Sequence, residues 1–301
     1  MEITGLIGST PLLRLALWER YRGVKAHLYA KWEGANLTGS IKDRAALALI
    51  KGGIQSGRLP PTGHLIEASS GNMGISLSAI GAAMGYKVTI VMPEGVSLER
   101  EQYMRSFGAE LVRTPAPSGM GGAIAVAEEI ARETGWYYTR QFEREESLLA
   151  HENGTAKELF VQLSQMAIFA AGIGTAGTLI GVGRGLKKRG KNVQIVGVEP
   201  TESPCISGGR SNFHGIEGIG AGFVPPLFDG EICQQVLTVS TEEAVETAKD
   251  FSRLTGLLIG ISAGANLAIL TNLGKKNENQ GKELATVFPD GGNRYFSKKI
   301  F

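Results

Sequence analysis

The sequence predicts an α/β fold of open parallel sheets flanked by helices, on three observations. Short β-branched runs alternate with longer helical patterns along almost the whole chain, the mark of parallel βαβ units. At 301 residues the chain is long enough for two lobes or one large α/β domain, at roughly 100–200 residues per domain. Its 42 glycines are about twice the average share, so the backbone must turn sharply or approach something closely in many places.

Taken in order from the N-terminus, the first strand covers His27–Ala30 and leads to a helix over Ser40–Ser56, capped by Ser40 and carrying Lys42 in its first turn. A strand at Leu65–Ala68 feeds a helix at Asn72–Met84 through a turn of hydroxyl and amide residues. Strand Lys87–Met92, helix Leu98–Phe107, strand Glu110–Thr114, helix Ala123–Thr134 and strand Trp136–Thr139 continue the alternation. Several of these helices place apolar residues at three- and four-residue spacing. The polar stretch Glu143–Ser147 breaks the pattern and marks the boundary between lobes. Beyond it come helix Glu152–Ser164, the strongly apolar strand Ala167–Ala171, helix Thr178–Lys188 and strand Gln194–Glu199. Strand Val236–Val239, helices Thr241–Leu254 and Ala263–Leu273, and strand Thr286–Pro289 complete the chain. No solenoid repeat or low-complexity linker interrupts it.

Hydrophobic residues are 43% and charged residues 20% of the chain, which excludes disorder and collagen-like repetition. The net charge is +2, from 31 basic and 29 acidic residues. That balance predicts no nucleic-acid partner and no anionic membrane surface, and points to a small-molecule or protein partner. Cys205 and Cys233 are the only cysteines, and His27, His64, His151 and His214 form no short-spaced Cys/His pair. Neither a disulfide framework nor a metal site is expected. The opening MEITGLIGSTP lacks the regions of a signal peptide, and no apolar run approaches the ~18 residues of a membrane span. A reducing, cytoplasmic location is the expectation.

In open parallel sheets ligands sit beyond the carboxyl ends of strands, so the strand-to-helix turns carry the functional signal. In GANLTGSIKDR, Lys42 meets the positive end of a helix dipole, which disfavours its charged form and leaves more free amine for Schiff-base chemistry. The turn EASSGNMG, Glu67–Gly74, gathers hydroxyls, an amide and N–H groups at one helix N-terminus, a cradle for a carboxylate or phosphate. The turn AGIGTAGT matches G-x-G-x-x-G through Gly172, Gly174 and Gly177, and suggests phosphate binding. A dinucleotide fold is the rival reading of that third turn, with Glu199 near the expected place for a ribose-binding acid. It leaves Lys42 and the Ser/Asn turn without roles, whereas Thr175 and Thr178 suit a terminal phosphate. One monophosphate, one lysine and one carboxylate cradle describe pyridoxal phosphate holding an amino acid.

The segments GSTPLLRL, GSIKDR, SSGNMG, RQF, GIGTAGT, VGVEP, GIEGIGAGFVP, GLLIGISAGAN and FPDGGNRYFS occur in the order and spacing of the O-acetylserine sulfhydrylase (cysteine synthase) and cystathionine β-synthase family. Essentially the whole chain resembles that family. The resemblance implies pyridoxal 5'-phosphate fold type II: two open parallel-sheet αβα lobes, with the cofactor in the cleft between them. The N-terminal lobe would be residues 1–145, its first strands free to cross to the other lobe, and the C-terminal lobe residues 146–301. The resemblance further implies that Lys42 is the Schiff-base lysine that later removes the substrate α-proton. Asn72 would bond the cofactor's phenolic oxygen, and Gly174, Thr175, Ala176, Gly177 and Thr178 would hold its phosphate. Ser69, Ser70, Asn72, Met73 and Gln141 would surround the substrate, and Gly218, Ile219 and Gly220 would face the cofactor from the far side.

Four positions depart from the family pattern. Met73 replaces a threonine near the substrate, a thioether in place of a hydroxyl. Ala176 stands where glycine is usual, which calls for negative φ there. Leu37 replaces a proline, and Gly291 replaces the serine that usually meets the pyridine nitrogen. The reaction implied is β-replacement on an O-activated serine by sulfide or a thiol, giving L-cysteine when sulfide attacks. The alternatives are a serine- or cysteine-using enzyme that forms cystathionine or lanthionine or releases hydrogen sulfide, and a regulatory homologue that binds a partner's peptide. A homodimer, with serine acetyltransferase as a further partner, also follows from the resemblance. The basic run Lys187–Lys191 complements a helix C-terminus, and Trp18, Trp32 and Trp136 are packing residues.

Overall fold

The computed structural model describes residues 2–298; positions 1 and 301, the outer ends of the two expected lobes, lie outside the described residues. In chain order the elements are β1 (Leu12–Arg14), α1 (Ala16–Arg22), β2 (His27–Trp32), α2 (Lys42–Gln55), β3 (His64–Ala68), α3 (Asn72–Ala83) and β4 (Lys87–Pro93). Next come α4 (Leu98–Ser106), β5 (Glu110–Thr114), α5 (Gly119–Thr134), β6 (Tyr137–Tyr138), α6 (Glu146–Ala150), a π-helical turn (His151–Thr155) and α7 (Ala156–Gln162). The chain continues through β7 (Met166–Gly172), α8 (Gly177–Lys188), β8 (Gln194–Pro200), β9 (Gln235–Val239), α9 (Thr241–Thr255), α10 (Ile261–Lys275) and β10 (Glu283–Phe288).

Two compact units result. The first comprises residues 2–7 and 36–147 and holds a four-stranded parallel sheet in the order β5-β4-β3-β6. Successive residues of a strand point to opposite faces, and the core follows that period. Leu65, Val88, Ile90 and Met92 join the cluster built with Ala46, Leu49 and Ile50 of α2 and Ile75, Leu77 and Ile80 of α3. Ile66, Ala68 and Val91 join the opposite cluster with Ala123 and Ala127 of α5.

The second unit comprises residues 8–35 and, among the described residues, 148–298. Its six strands run in the order β1-β2-β10-β7-β8-β9, all parallel except β1, which is antiparallel to β2. Residues 8–35 belong here because β2 pairs with β10 continuously from His27↔Glu283 to Trp32↔Phe288. Residues 8–35 of the expected 1–145 lobe thus lie in the second unit, a crossing of the first strands that the expectation left open, and the chain passes between units at 147/148 rather than 145/146. Trp18 meets Phe251 edge-on at 5.6 Å between ring centres, and Phe251 meets Phe288 at 5.3 Å. These rings lie in one apolar cluster with Leu28, Leu267 and Leu270.

The helix expected at Glu152–Ser164 is instead α6, the π-helical turn and α7. Its partner α8 explains the distortion. A Cβ at Gly181 would crowd the Leu148 carbonyl, and one at Gly185 would crowd Ala156 and the Glu152 carbonyl. The two segments thus touch backbone to backbone, closer than ordinary side chains permit.

Candidate active site

In the first unit, Lys42 opens α2. Ile41 occupies the N-cap position, but the Ser40 hydroxyl still accepts the Lys42 N–H at 3.3 Å. The next side chain, Asp43, is buried and braces the approach to the helix. Its carboxylate accepts the Thr38 N–H at 2.7 Å and the hydroxyls of Thr38 and Ser76 at 2.6 Å each. Lys42 is thus set on a rigid first turn, and among the described residues none hydrogen-bonds or ion-pairs with its amine. Burial pushes the Lys42 amine down to about 8. Desolvation, and not the helix dipole expected from the sequence, is the cause of the shift.

The turn after β3 is organised by Ser69. Its buried Oγ accepts the Gly74 N–H at 3.0 Å and the Gly71 N–H at 3.3 Å, so it caps α3 from outside the helix. With its oxygen accepting both N–H groups, the Ser69 hydroxyl keeps its own proton to donate. Ser70 is half-buried, and its carbonyl accepts from Arg100 Nη1 at 3.3 Å. Asn72 is the first residue of α3. Met73 is 2% exposed and its side chain belongs to the apolar cluster with Ile75, Leu77 and Met104. The thioether therefore lies with the core of this unit, apart from the polar groups of the turn.

Gln141 reaches the same strand end from the segment after β6. Its Nε2 donates to the Ala68 carbonyl at 3.1 Å, and its backbone N–H donates to Glu67 Oε2 at 3.1 Å. Glu67, quoted in the turn motif but given no role there, is 1% exposed and also accepts from the Ala68 N–H and the Thr139 hydroxyl. Burial pushes its carboxyl up to about 7 against those hydrogen bonds.

In the second unit, the loop between β7 and α8 packs on the 218–220 loop. A Cβ at Gly174 would run into the carbonyl oxygen of Gly218, and the Gly220 N–H donates to the Ile173 carbonyl at 2.9 Å. Thr175 Oγ1 accepts the Gly177 N–H at 3.3 Å. Thr178 Oγ1 lies 3.3 Å from Nε2 of His151, whose part here no local motif announces. Ala176 corrects an expectation: it adopts φ +68°, ψ −9°, the left-handed conformation, rather than negative φ. This orients the first N–H groups of the twelve-residue α8, a helix N-terminus of the kind that binds anions. Gly291 is buried, and a Cβ there would meet Asn293 Oδ1 at 2.7 Å.

The dinucleotide alternative loses its acidic residue. Glu199 is buried, and its carboxylate accepts the N–H groups of Ile206 and Ser207 and the Ser207 hydroxyl. It closes its own turn. The basic run is also structural: Lys188 pairs with Glu152 at 2.5 Å, and Arg189 caps the Gly185 and Glu152 carbonyls. Among the described residues no group of three His, Cys, Asp or Glu could hold a metal, and no helix is long and apolar enough to cross a membrane.

Comparison with known proteins gives a consistent outcome. The family profile described as pyridoxal-phosphate dependent enzyme matches residues 3–290. A cysteine synthase of Staphylococcus aureus is 40% identical over 307 residues, covering 100% of this chain and 96% of the relative. The crystal structure of a cysteine synthase from Entamoeba histolytica superposes with a TM-score of 0.95 at 35% identity, covering 99% of this chain and 90% of that one. A hydrogen sulfide-producing enzyme from Fusobacterium nucleatum superposes with a TM-score of 0.92 at 33% identity, covering 97% and 98% respectively.

Proposed function

The chain belongs to the pyridoxal-phosphate dependent enzyme family, and from that premise we propose that it is a cysteine synthase, a transferase that replaces the β-substituent of an O-activated serine with sulfide to form L-cysteine. The observation that carries the reading is Lys42: an amine held by burial near 8, on a braced helix start, with no counter-ion taking its proton. Such an amine is partly neutral at physiological pH, as a nucleophile and proton acceptor must be.

The residues present suit the cofactor. Lys42 Nζ would take its aldehyde and Asn72 its phenolic oxygen. Gly174, Thr175, Ala176, Gly177 and Thr178 would take its phosphate, with N–H groups and hydroxyls at the start of α8. Pyridoxal phosphate, when bound, supplies the electron sink that stabilises negative charge at the substrate α-carbon. Lys42 Nζ, once released by the incoming amino acid, accepts the α-proton. Ser69, Ser70 and Gln141 hold the substrate carboxylate: the Ser69 hydroxyl keeps a proton to donate, and the Gln141 amide keeps hydrogen-bonding capacity beyond its single bond to Ala68. Gly218 and Gly220 would offer backbone without side-chain bulk to the cofactor and its substrate. The cytoplasm as its location, a homodimer as its assembly and serine acetyltransferase as a partner are parts of the same proposal.

The testing experiment combines O-acetyl-L-serine and sulfide with purified protein and follows cysteine by a specific assay, with Lys42→Ala as control. Cysteine formation that is lost in the variant supports the reading. A protein that forms none, yet releases sulfide from cysteine, takes the second reading, which is favoured by the likeness to the Fusobacterium enzyme.

A further inference from the structure

The first unit holds a buried carboxylate that the proposed reaction does not use. Strand β6 pairs with β3 only at Leu65↔Tyr137 and Ile66↔Tyr138. One further bond, from the Thr139 N–H to the Ile66 carbonyl at 3.1 Å, extends the ladder. The chain then turns out at Arg140, which takes φ +48°, so the backbone of β3 no longer meets the Gln141 N–H. Glu67 fills that role with its side chain. One of its oxygens accepts from Gln141 N at 3.1 Å and from the Thr139 hydroxyl, and the other from the Ala68 N–H at 2.9 Å. Gln141 Nε2 returns a bond to the Ala68 carbonyl, the residue immediately before the Ser69 turn.

We infer that Glu67 is a positioning residue whose ionised carboxylate fixes Gln141 beside the Ser69 turn and so completes the grip on the substrate carboxylate. The inference rests on the functional reading above, because it takes Ser69 and Gln141 as the carboxylate-holding groups. The chemistry is that of an acceptor surrounded by donors. Three donors face an ionised carboxylate, which can accept them all; a protonated one keeps them only if the Thr139 hydroxyl reverses to accept, and its neutral oxygen then holds the Gln141 N–H less strongly. Nothing cationic compensates the charge: among the described residues no lysine or arginine pairs with it. The nearby titratable groups are Glu143, which raises the carboxyl further, and Tyr137 and Tyr138, both driven up mainly by burial. Arg144 lies over the Tyr137 ring and Arg140 over the Tyr138 ring. The Lys42 amine is shifted by desolvation alone and does not couple to it. An uncompensated buried carboxylate is costly to keep ionised, which argues that it is kept for the site it orders.

The test uses the holoenzyme, O-acetyl-L-serine as substrate and steady-state kinetics from pH 6 to 9. Loss of a hydrogen bond to a charged group predicts that Glu67→Gln raises KM about tenfold or more while kcat changes by less than about threefold and the visible cofactor band is retained. Gln141→Ala should raise KM similarly, and the double variant should be no worse than either single one, because both remove the same contact. The wild-type KM should worsen as pH falls through about 7, a limb absent from Glu67→Gln. Multiplying KM effects in the double variant, or identical pH profiles, would overturn the inference. Should Glu67→Gln fail to fold, the Gln141 amide resonance of ¹⁵N-labelled wild type decides the matter: it should titrate over the same range, and a pH-invariant signal refutes the role. A wild type that lacks the cofactor band defeats the functional reading, whereas the amide titration still reports on Glu67 itself.

Discussion

The imidazole of His151 sits between two hydroxyls, with Nε2 3.3 Å from Thr178 Oγ1 and Nδ1 2.9 Å from Thr155 Oγ1. The π-helical turn His151–Thr155 creates this arrangement, and it can lie there because Gly181 lets the two segments touch. With its proton on Nε2, the ring donates to Thr178 Oγ1 and leaves that hydroxyl its own proton for whatever anion the α8 N-terminus binds.

From that relationship, Thr178→Ala should weaken retention of pyridoxal phosphate about tenfold or more, the effect of losing one hydrogen bond to a charged group at about 1.5–3 kcal/mol. His151→Leu, which keeps the hydroxyl but removes its orienting ring, should fall between the variant and wild type. Equilibrium dialysis of the reconstituted apoprotein measures both. An unchanged Kd for Thr178→Ala would remove this residue from the phosphate site.

Ala176 stores backbone strain. A non-glycine residue in the left-handed region costs roughly 1–2 kcal/mol, whereas glycine adds about 0.5–1 kcal/mol of unfolded-state entropy to be lost on folding. The difference predicts that Ala176→Gly raises the apoprotein's resistance to denaturant slightly, by about 0.5–1 kcal/mol. Ala176→Val, β-branched and harder to hold at positive φ, should lower it by more than glycine raises it. Guanidinium unfolding of the three proteins gives the order, and a glycine variant less stable than alanine contradicts it.

Gly174 makes a different kind of demand. A Cβ there meets the Gly218 carbonyl, a backbone atom that cannot rotate aside. Gly174→Ala should therefore displace the 218–220 loop and lower both cofactor retention and turnover, whereas Gly71→Ala, which meets nothing within 4 Å, should leave cofactor retention within about twofold, on the scale of a small backbone-entropy change. Proteolytic susceptibility of the 218–220 loop provides a readout independent of activity.

Much of this architecture is legible in the sequence because the signals are local. The largely apolar runs of β3 and β4, buried on both faces, and the apolar spacing of α2 and α5 follow directly from residue order. The turns at Lys42, Ser69 and Thr175 show their character through hydroxyls and glycines within a few positions of one another. What is missed is short or non-local. Strand β1 spans three residues and α1 seven, too few for a periodic pattern to emerge. Glu67 and His151 have their roles through contacts 74 and 27 residues away, and nothing in their neighbours announces the partners. The sign of φ at Ala176 is likewise set by the packing of its loop, against the local preference of alanine.

Lys42 makes the stability of the fold depend on pH. Its amine is pushed from an ordinary 10.5 down to about 8 by burial, so between those values the unfolded chain binds more protons than the folded one. Stability contributed by this group must then rise with pH across that window, from a penalty fully present below about 8 to none above about 10.5. Lys42→Met removes the charge while keeping a flexible apolar stem. The apoprotein variant should melt higher than wild type at pH 7, and the gap should narrow as pH is raised from 8 toward 10.5. Differential scanning calorimetry of the cofactor-free proteins across that range tests both the sign and the window. A wild type more stable than Lys42→Met at pH 7 would mean that the fold compensates the ammonium, and the amine would then be too basic to accept a proton at neutral pH. In that case the catalytic base would have to be sought elsewhere than at the start of α2.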